Sequence, residues 1–390
     1  MLLSLPFAVG GVNLFGYLIL VVAPFSETWR QAWHRLVTNR MAGIALLMLG
    51  MVAVGTLYSL GGSQEALNVL NRYHKLLFIP WLMPFFCRDE DRVRALHVLA
   101  LALSINVAIS WTEYLGLTHV SDPIYDGVAP GHFGDNVFRT HIAQGLLFDV
   151  LLVIAGVHVI RATGRIRYLF AIIGLLTALN ILVVMVGRTG KALLPVILLW
   201  LLYEWLTVDR AFFRIPAKWK SMALLLGVLV MAGTTWSLAH PSTMLGTIVS
   251  EVRASRATGV DTSQGERVQF WQKGFRLIRL NPWYGSGAGS VHAQTLKLAQ
   301  HETSFLGRMA TYNLHDEFLM WAVQFGFPGL FVIVLFFMYY LSAAPGSEVS
   351  AITMRGAGLV FLIGCLFNSF LMDFTEGYSM VLLAGVLARL

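Results

Sequence analysis

The sequence predicts an all-α polytopic membrane protein of about eleven to twelve transmembrane helices, with one large loop holding amphipathic helix on one side. Three observations predict it. The chain of 390 residues is 57% hydrophobic and only 13% charged, with a mean hydropathy of +0.68, whereas a soluble domain averages about 25% charged residues. Apolar runs long enough to cross a hydrocarbon core of roughly 30 Å recur along nearly its whole length. The runs are continuous rather than alternating, so helices and not a closed barrel satisfy the backbone in lipid.

Eleven apolar segments follow in order, at 3–25, 41–60, 74–87, 94–118, 140–160, 166–187, 190–207, 220–240, 315–342, 352–372 and 374–390. The third and the last are short for a full crossing and read as tilted, broken or re-entrant. The opening run is too long for a cleaved signal and lacks its basic leader, so it reads as a retained helix. Orientation comes from the basic residues. Loops after the odd-numbered segments through the ninth, with the C-terminal end, hold 15 of the 28; the short loops opposite hold only Arg72, Lys75, Arg139, Arg188 and Lys191. By the positive-inside rule, the stretches 118–139 and 241–314 face outward, which is the periplasm if the cell is Gram-negative. The same count leaves Met1 outside. A further N-terminal helix ahead of this sequence would give twelve, with both ends inside.

The expected organisation is therefore N-terminal transmembrane helices over 1–240, an outer loop over 241–314, and C-terminal transmembrane helices over 315–390. The formal charge of +7 is explained by inner-side cations and implies no nucleic-acid partner. Cys87 and Cys365 have neither metal-ligand spacing nor a disulfide framework.

Within the outer loop, residues 264–280 place Trp271, Phe275 and Ile278 on one side, with Arg267, Lys273, Arg276 and Arg279 interspersed. This reads as an amphipathic helix at the membrane surface. It runs into Asn281-Pro282-Trp283-Tyr284-Gly285-Ser286-Gly287-Ala288-Gly289, where proline stops the helix and alternate glycines allow tight backbone approach.

The outward positions carry the candidate chemistry. Arg188-Thr189-Gly190-Lys191 lies between two apolar segments with almost no linker. Two cations there defy the charge bias, which favours an anion site using the guanidinium fork of Arg188 over a snorkelling turn. Arg139, alone among the acidic residues Asp122, Asp126 and Asp135, is either a second anion ligand or a local ion pair; His141 beside it reads as a satisfied polar group of the bundle. Arg267, taken to lie in a helix's first turn, opposes the macrodipole there, so anion binding competes with pairing to Glu266 or Glu302. His315 is the sharpest candidate. It opens the next crossing in Asn313-Leu314-His315-Asp316-Glu317, where an imidazole can take a proton from a sugar hydroxyl and a neighbouring carboxylate can orient it. Asp316 and Glu317 serve equally as helix N-terminal charges.

Three other patterns fail on context. Asp89-Glu90-Asp91 resembles the acidic pair of a metal-bound nucleotide sugar, but lies on the inner side in too short a loop. His292, His301 and His315 lack zinc-ligand spacing. The alternate glycines follow no strand, which excludes a dinucleotide fold.

The order of an Arg-Thr-Gly turn, the Asn281–Ser290 block, His315-Asp316-Glu317-Phe318-Leu319 and Gly326-Phe327-Pro328-Gly329-Leu330 resembles the O-antigen ligase and polymerase superfamily, over roughly residues 130–372. Many relatives have Asn where Asp316 stands. The resemblance implies a metal-independent glycosyltransferase without cofactors. Its donor would be a polysaccharide on undecaprenyl diphosphate and its acceptor the lipid A core, both within the inner membrane and reached from the periplasm. The single large outer loop looks like the ligase arrangement. Arg188 and Arg139, supported by Lys191 and Arg267, would neutralise the diphosphate, and His315 would activate the acceptor hydroxyl. A polymerase or O-linked oligosaccharyltransferase of the same superfamily is the nearest alternative. A lipid-glycan flippase would require charges along a path through the bundle, whereas Asp149 and His158 are the ones this reading finds within spans.

Overall fold

A computed structural model describes residues 1–118, 137–185, 187–207, 225, 228, 232–233, 235–236, 239–240, 244–258, 262–304, 306–344 and 346–390. Most of the predicted segment 220–240, the inner cations Arg210, Arg214, Lys218 and Lys220, and Asp122, Asp126 and Asp135 lie outside the described residues. Among those described, the chain is helical with no strand. In chain order the helices are α1 (Val9–Val22), α2 (Glu27–Thr38), α3 (Arg40–Leu57), α4 (Ser63–Tyr73), α5 (Phe78–Leu82), α6 (Asp89–Tyr114), α7 (His141–Arg161), α8 (Gly164–Leu179), α9 (Arg188–Thr207), α10 (Met244–Thr258), α11 (Ser263–Leu280), α12 (Val291–Ala299), α13 (Glu317–Ser342), α14 (Val349–Gly364) and α15 (Phe374–Leu387).

The protein is an all-α, multi-pass membrane protein. Six described helices are long and apolar enough to cross: α3, α6, α7, α8 with its extension to Val184, α9 and α13. Helices α1 and α2 form one apolar pair bent by 89°, and α14 and α15 are apolar but shorter. The predicted segment 74–87 is broken into short turns around α5, where Pro80 and Pro84 withhold backbone donors.

Residues 1–18, 88–240 and 344–360 form one compact unit, and residues 19–87, 241–343 and 361–390 form another. In the first, α7 is buried along nearly its whole length. Its Gly145 lets α9 come close: a Cβ on Gly190 would lie 3.2 Å from the Gly145 Cα, the small-residue approach that van der Waals packing in lipid favours. Charge inside the helices is not confined to Asp149 and His158. Glu113 is buried near the end of α6, and Glu204 of α9 pairs with Arg355 of α14 at 3.6 Å. His158 meets His97, Nε2 to Nε2, at 3.1 Å and stacks on Phe170.

In the second unit, α13 is interrupted at Gly326, whose φ of 66° and ψ of −158° no helix accommodates. The break receives the glycine-rich segment main chain to main chain. Ser286 N donates to Val323 O at 2.9 Å, Gly287 N to Gln324 O at 2.9 Å, and Phe327 N to Pro282 O at 2.7 Å. The two motifs read separately in the sequence are thus one structural unit. Each alternate glycine has positive φ and its own backbone neighbour: Gly285 against Gln324, Gly287 against Ser59, and Gly289 against Glu65. A Cβ on Gly287 would sit 2.5 Å from the Ser59 Cα. Gly287→Ala is therefore expected to cost on the order of 3 kcal/mol, from strain and overpacking together. The thermal midpoint of the detergent-purified protein checks it. Gly43→Ala in α3, with nothing within 4 Å of the added methyl, serves as the harmless control.

Helix α11 forms as expected but buries a different face. Thr262 caps it, accepting from Gly265 N at 3.0 Å. Phe270, Gly274 and Leu277 are buried, spaced for one stripe, while Phe275 is 55% exposed and Trp271 and Ile278 are half-buried. Lys273 joins the buried side because its ammonium donates to the carbonyls of Gly307 and Met309. The predicted apolar face is thus the outer one.

Candidate functional site

His315 stands at the mouth of α13, in the short stretch before the first helical turn. Its φ of 54° is left-handed, a region where a non-glycine residue is uncommon and costs on the order of 1–3 kcal/mol. The turn is held from both sides. Asn313 Oδ1 accepts from His315 N at 2.8 Å, and Asp316 Oδ1 caps α13 by accepting from Leu319 N at 2.9 Å. The neighbouring carboxylate expected to orient the imidazole is therefore occupied as a helix cap. Glu317 is also engaged elsewhere: it is fully buried and accepts from Tyr73 Oη at 2.7 Å, Trp321 Nε1 at 3.0 Å and Leu371 N at 3.0 Å.

The orienting group is Asn368, which the sequence reading missed. His315 Nδ1 lies 3.2 Å from Asn368 Oδ1. With Nδ1–H donating to that oxygen, Nε2 is the ring's lone-pair nitrogen, the state a general base requires. Asn368 belongs to the 365–373 connection between α14 and α15, which Glu317 anchors through Leu371 N and through its own N–H to Cys365 O at 2.8 Å.

Phe270 of α11 faces the same imidazole, and Arg267, one turn before it, acts on the ring electrostatically. The Phe270 ring lies 6.3 Å from that of His315, with planes 20° apart. Burial, and secondarily the Arg267 guanidinium, hold the His315 imidazole below its ordinary value, with the Asn368 bond acting in the opposite direction. Arg267 is the fifth residue of α11 rather than in its first turn, so the macrodipole argument for it loses its force. Its place beside His315 is a better reason for interest. Glu302, considered as its partner, carries an ion pair with Arg276.

The other predicted cations belong to the first unit. Arg188 opens α9 and Lys191 follows within its first turn, both half-buried. Gly187 brings this turn onto the start of α7: a Cβ there would lie 2.8 Å from the His141 carbonyl oxygen. Arg139, two residues before that carbonyl, donates from Nη2 to Leu5 O at 3.0 Å, and Phe138 before it has a left-handed φ of 65°. Arg139, Arg188 and Lys191 are thus carried on adjoining backbone segments of one unit, and Arg267 and His315 stand together in the other.

The discounted patterns also have structural explanations. Asp89-Glu90-Asp91 forms the first turn of α6, where Asp91 pairs with Arg88 at 3.0 Å and Arg94 at 3.3 Å, and Asp89 accepts from the Ser350 hydroxyl. His292 stacks on Tyr312 at 3.8 Å. Asp149 and His158 are nine residues apart on α7, which puts them on opposite faces of the helix rather than along one path.

The sequence model of the family described as O-antigen ligase matches residues 146–334. That stretch takes in Arg188, Lys191, Arg267 and His315, and leaves Arg139 and Asn368 outside. No curated protein matches the chain.

Proposed function

We propose, from the match of residues 146–334 to the family described as O-antigen ligase, that this membrane protein is a glycosyltransferase, an O-antigen ligase acting at the periplasmic face of the inner membrane in lipopolysaccharide synthesis. It moves a polysaccharide from undecaprenyl diphosphate to a sugar of the lipid A core, with 1–240 and 315–390 as its membrane regions and 241–314 as its periplasmic part. His315 Nε2 takes the proton of the acceptor hydroxyl as that oxygen bonds to the anomeric carbon. The carbon–oxygen bond to the diphosphate breaks, and the electron pair leaves with undecaprenyl diphosphate. Single displacement inverts the anomeric centre. Arg188, Arg139, Lys191 and Arg267 neutralise the leaving group, so no metal ion is needed.

One observation carries the reading: an imidazole in a left-handed turn, with Nδ1 on Asn368 and Arg267 and Phe270 beside it. An imidazole held in this way, with a guanidinium acting on it, supports the role of a base working beside an anion. Incubating the purified protein with an undecaprenyl-linked glycan, a defined lipid A core and a chelator tests it. The expected product is glycan on lipid A core, undiminished by the chelator. Growth of glycan on glycan would make the chain a polymerase, and glycan on protein an oligosaccharyltransferase. Movement of the lipid across vesicles with no new glycosidic bond would replace the enzyme with a flippase.

A further inference from the structure

Three polar residues meet in the first unit where the surrounding helices are apolar. Ser110 of α6, Gln144 of α7 and Asn180 at the end of α8 are each fully buried. The Ser110 hydroxyl is the hub: it accepts from Asn180 Nδ2 at 3.1 Å and from Gln144 Nε2 at 3.5 Å. Burying amides and hydroxyls away from water is costly unless they are bonded to one another, and interhelical glue is the ordinary reason for it. Here the two outer ends of the cluster point to something more specific.

One end holds the backbone of the segment that carries Arg139. Gln144 Oε1 accepts from Val137 N at 2.7 Å, directly before the left-handed Phe138 and Arg139 itself. The other end is the helix terminus that leads toward Arg188. Asn180 opens a π-turn, Asn180–Val184, whose last bond runs from Met185 N to the Asn180 carbonyl at 3.0 Å. Arg188 lies three residues beyond Met185 in the sequence. Single π-turns mark functional places in helices, because the extra residue redirects what comes next.

We infer that Ser110, Gln144 and Asn180 are positioning residues, which fix the Arg139 and Arg188 segments relative to each other so that both guanidinium groups engage one diphosphate. The inference rests on the donor assignment proposed above. The cluster touches no substrate; it acts through the two arginines.

Binding of undecaprenyl diphosphate to the detergent-purified full chain tests it, with uncharged undecaprenol as the second probe. Gln144→Leu is expected to weaken diphosphate binding about tenfold, within the usual range of coupling between interacting sites, and to leave undecaprenol binding unchanged. Added to Arg188→Ala, it should have little further effect, since the arginine it positions is gone. Equal loss for both lipids, a full additional factor in the double variant, or unaltered diphosphate binding in Gln144→Leu would each overturn the inference. Ser110→Ala removes the hub at smaller volume cost and answers the same question if Gln144→Leu fails to insert. Should Arg188→Ala alone bind the diphosphate normally, the donor assignment falls first, and this inference with it.

Discussion

His315→Ala inserts and folds normally but transfers glycan roughly 10²- to 10⁴-fold more slowly, the range spanned by loss of a positioned general base. The side chain is half-buried and its removal leaves the α13 cap on Asp316 and the Glu317 network in place, so the loss is one of chemistry rather than of fold. The pH dependence gives an independent reading of the same group. A base works in its neutral form, and burial with the nearby Arg267 holds this imidazole below its ordinary value, about 6.5. The acid limb of kcat/KM should therefore fall below that pH, not at or above it. Arg267→Gln removes a positive charge that disfavours the imidazolium, so it should move the limb upward as well as weaken the donor. An acid limb that stays put in Arg267→Gln, or survives unchanged in His315→Gln, would take the proton away from this residue.

Arg188→Ala should lower kcat/KM by about 10²- to 10³-fold, the scale for removing one group that stabilises developing charge. Part of the loss should appear in kcat, because charge on the departing diphosphate grows toward the transition state. Arg188→Lys should recover only a fraction. A lysine delivers the charge without the planar fork that can grip two phosphate oxygens, and Arg188 is the first residue of α9, a helix end whose dipole favours an anion. Steady-state assays with varied undecaprenyl-linked donor separate the two parameters. Full recovery by lysine would reduce Arg188 to a simple point charge.

The membrane fold was legible because run length and lack of charge are local properties. Nearly every predicted segment corresponds to a described helix, an apolar bend or a broken turn. His315 was legible for a similar reason, as an imidazole at the start of a long apolar run. Its partner was not. Asn368 lies 53 residues further along, in a connection that looks like the end of another apolar run, and only tertiary packing brings the two together. Charge misled in a different way on α11. Lys273 is one of four cations interspersed along that helix, yet two carbonyls satisfy its ammonium and allow it inside. The boundary of that helix also mattered: capping by Thr262 starts it early enough to carry Arg267 beyond the first turn. The glycine pattern was read correctly as permitting close approach, but its neighbours Ser59, Glu65 and Gln324 come from distant parts of the chain.

The left-handed backbone at His315 sets durability against turnover at a single codon. Glycine would sit there without strain, so repeated selection for survival at high temperature should drift toward it. The survivors would be hardier proteins that no longer join anything.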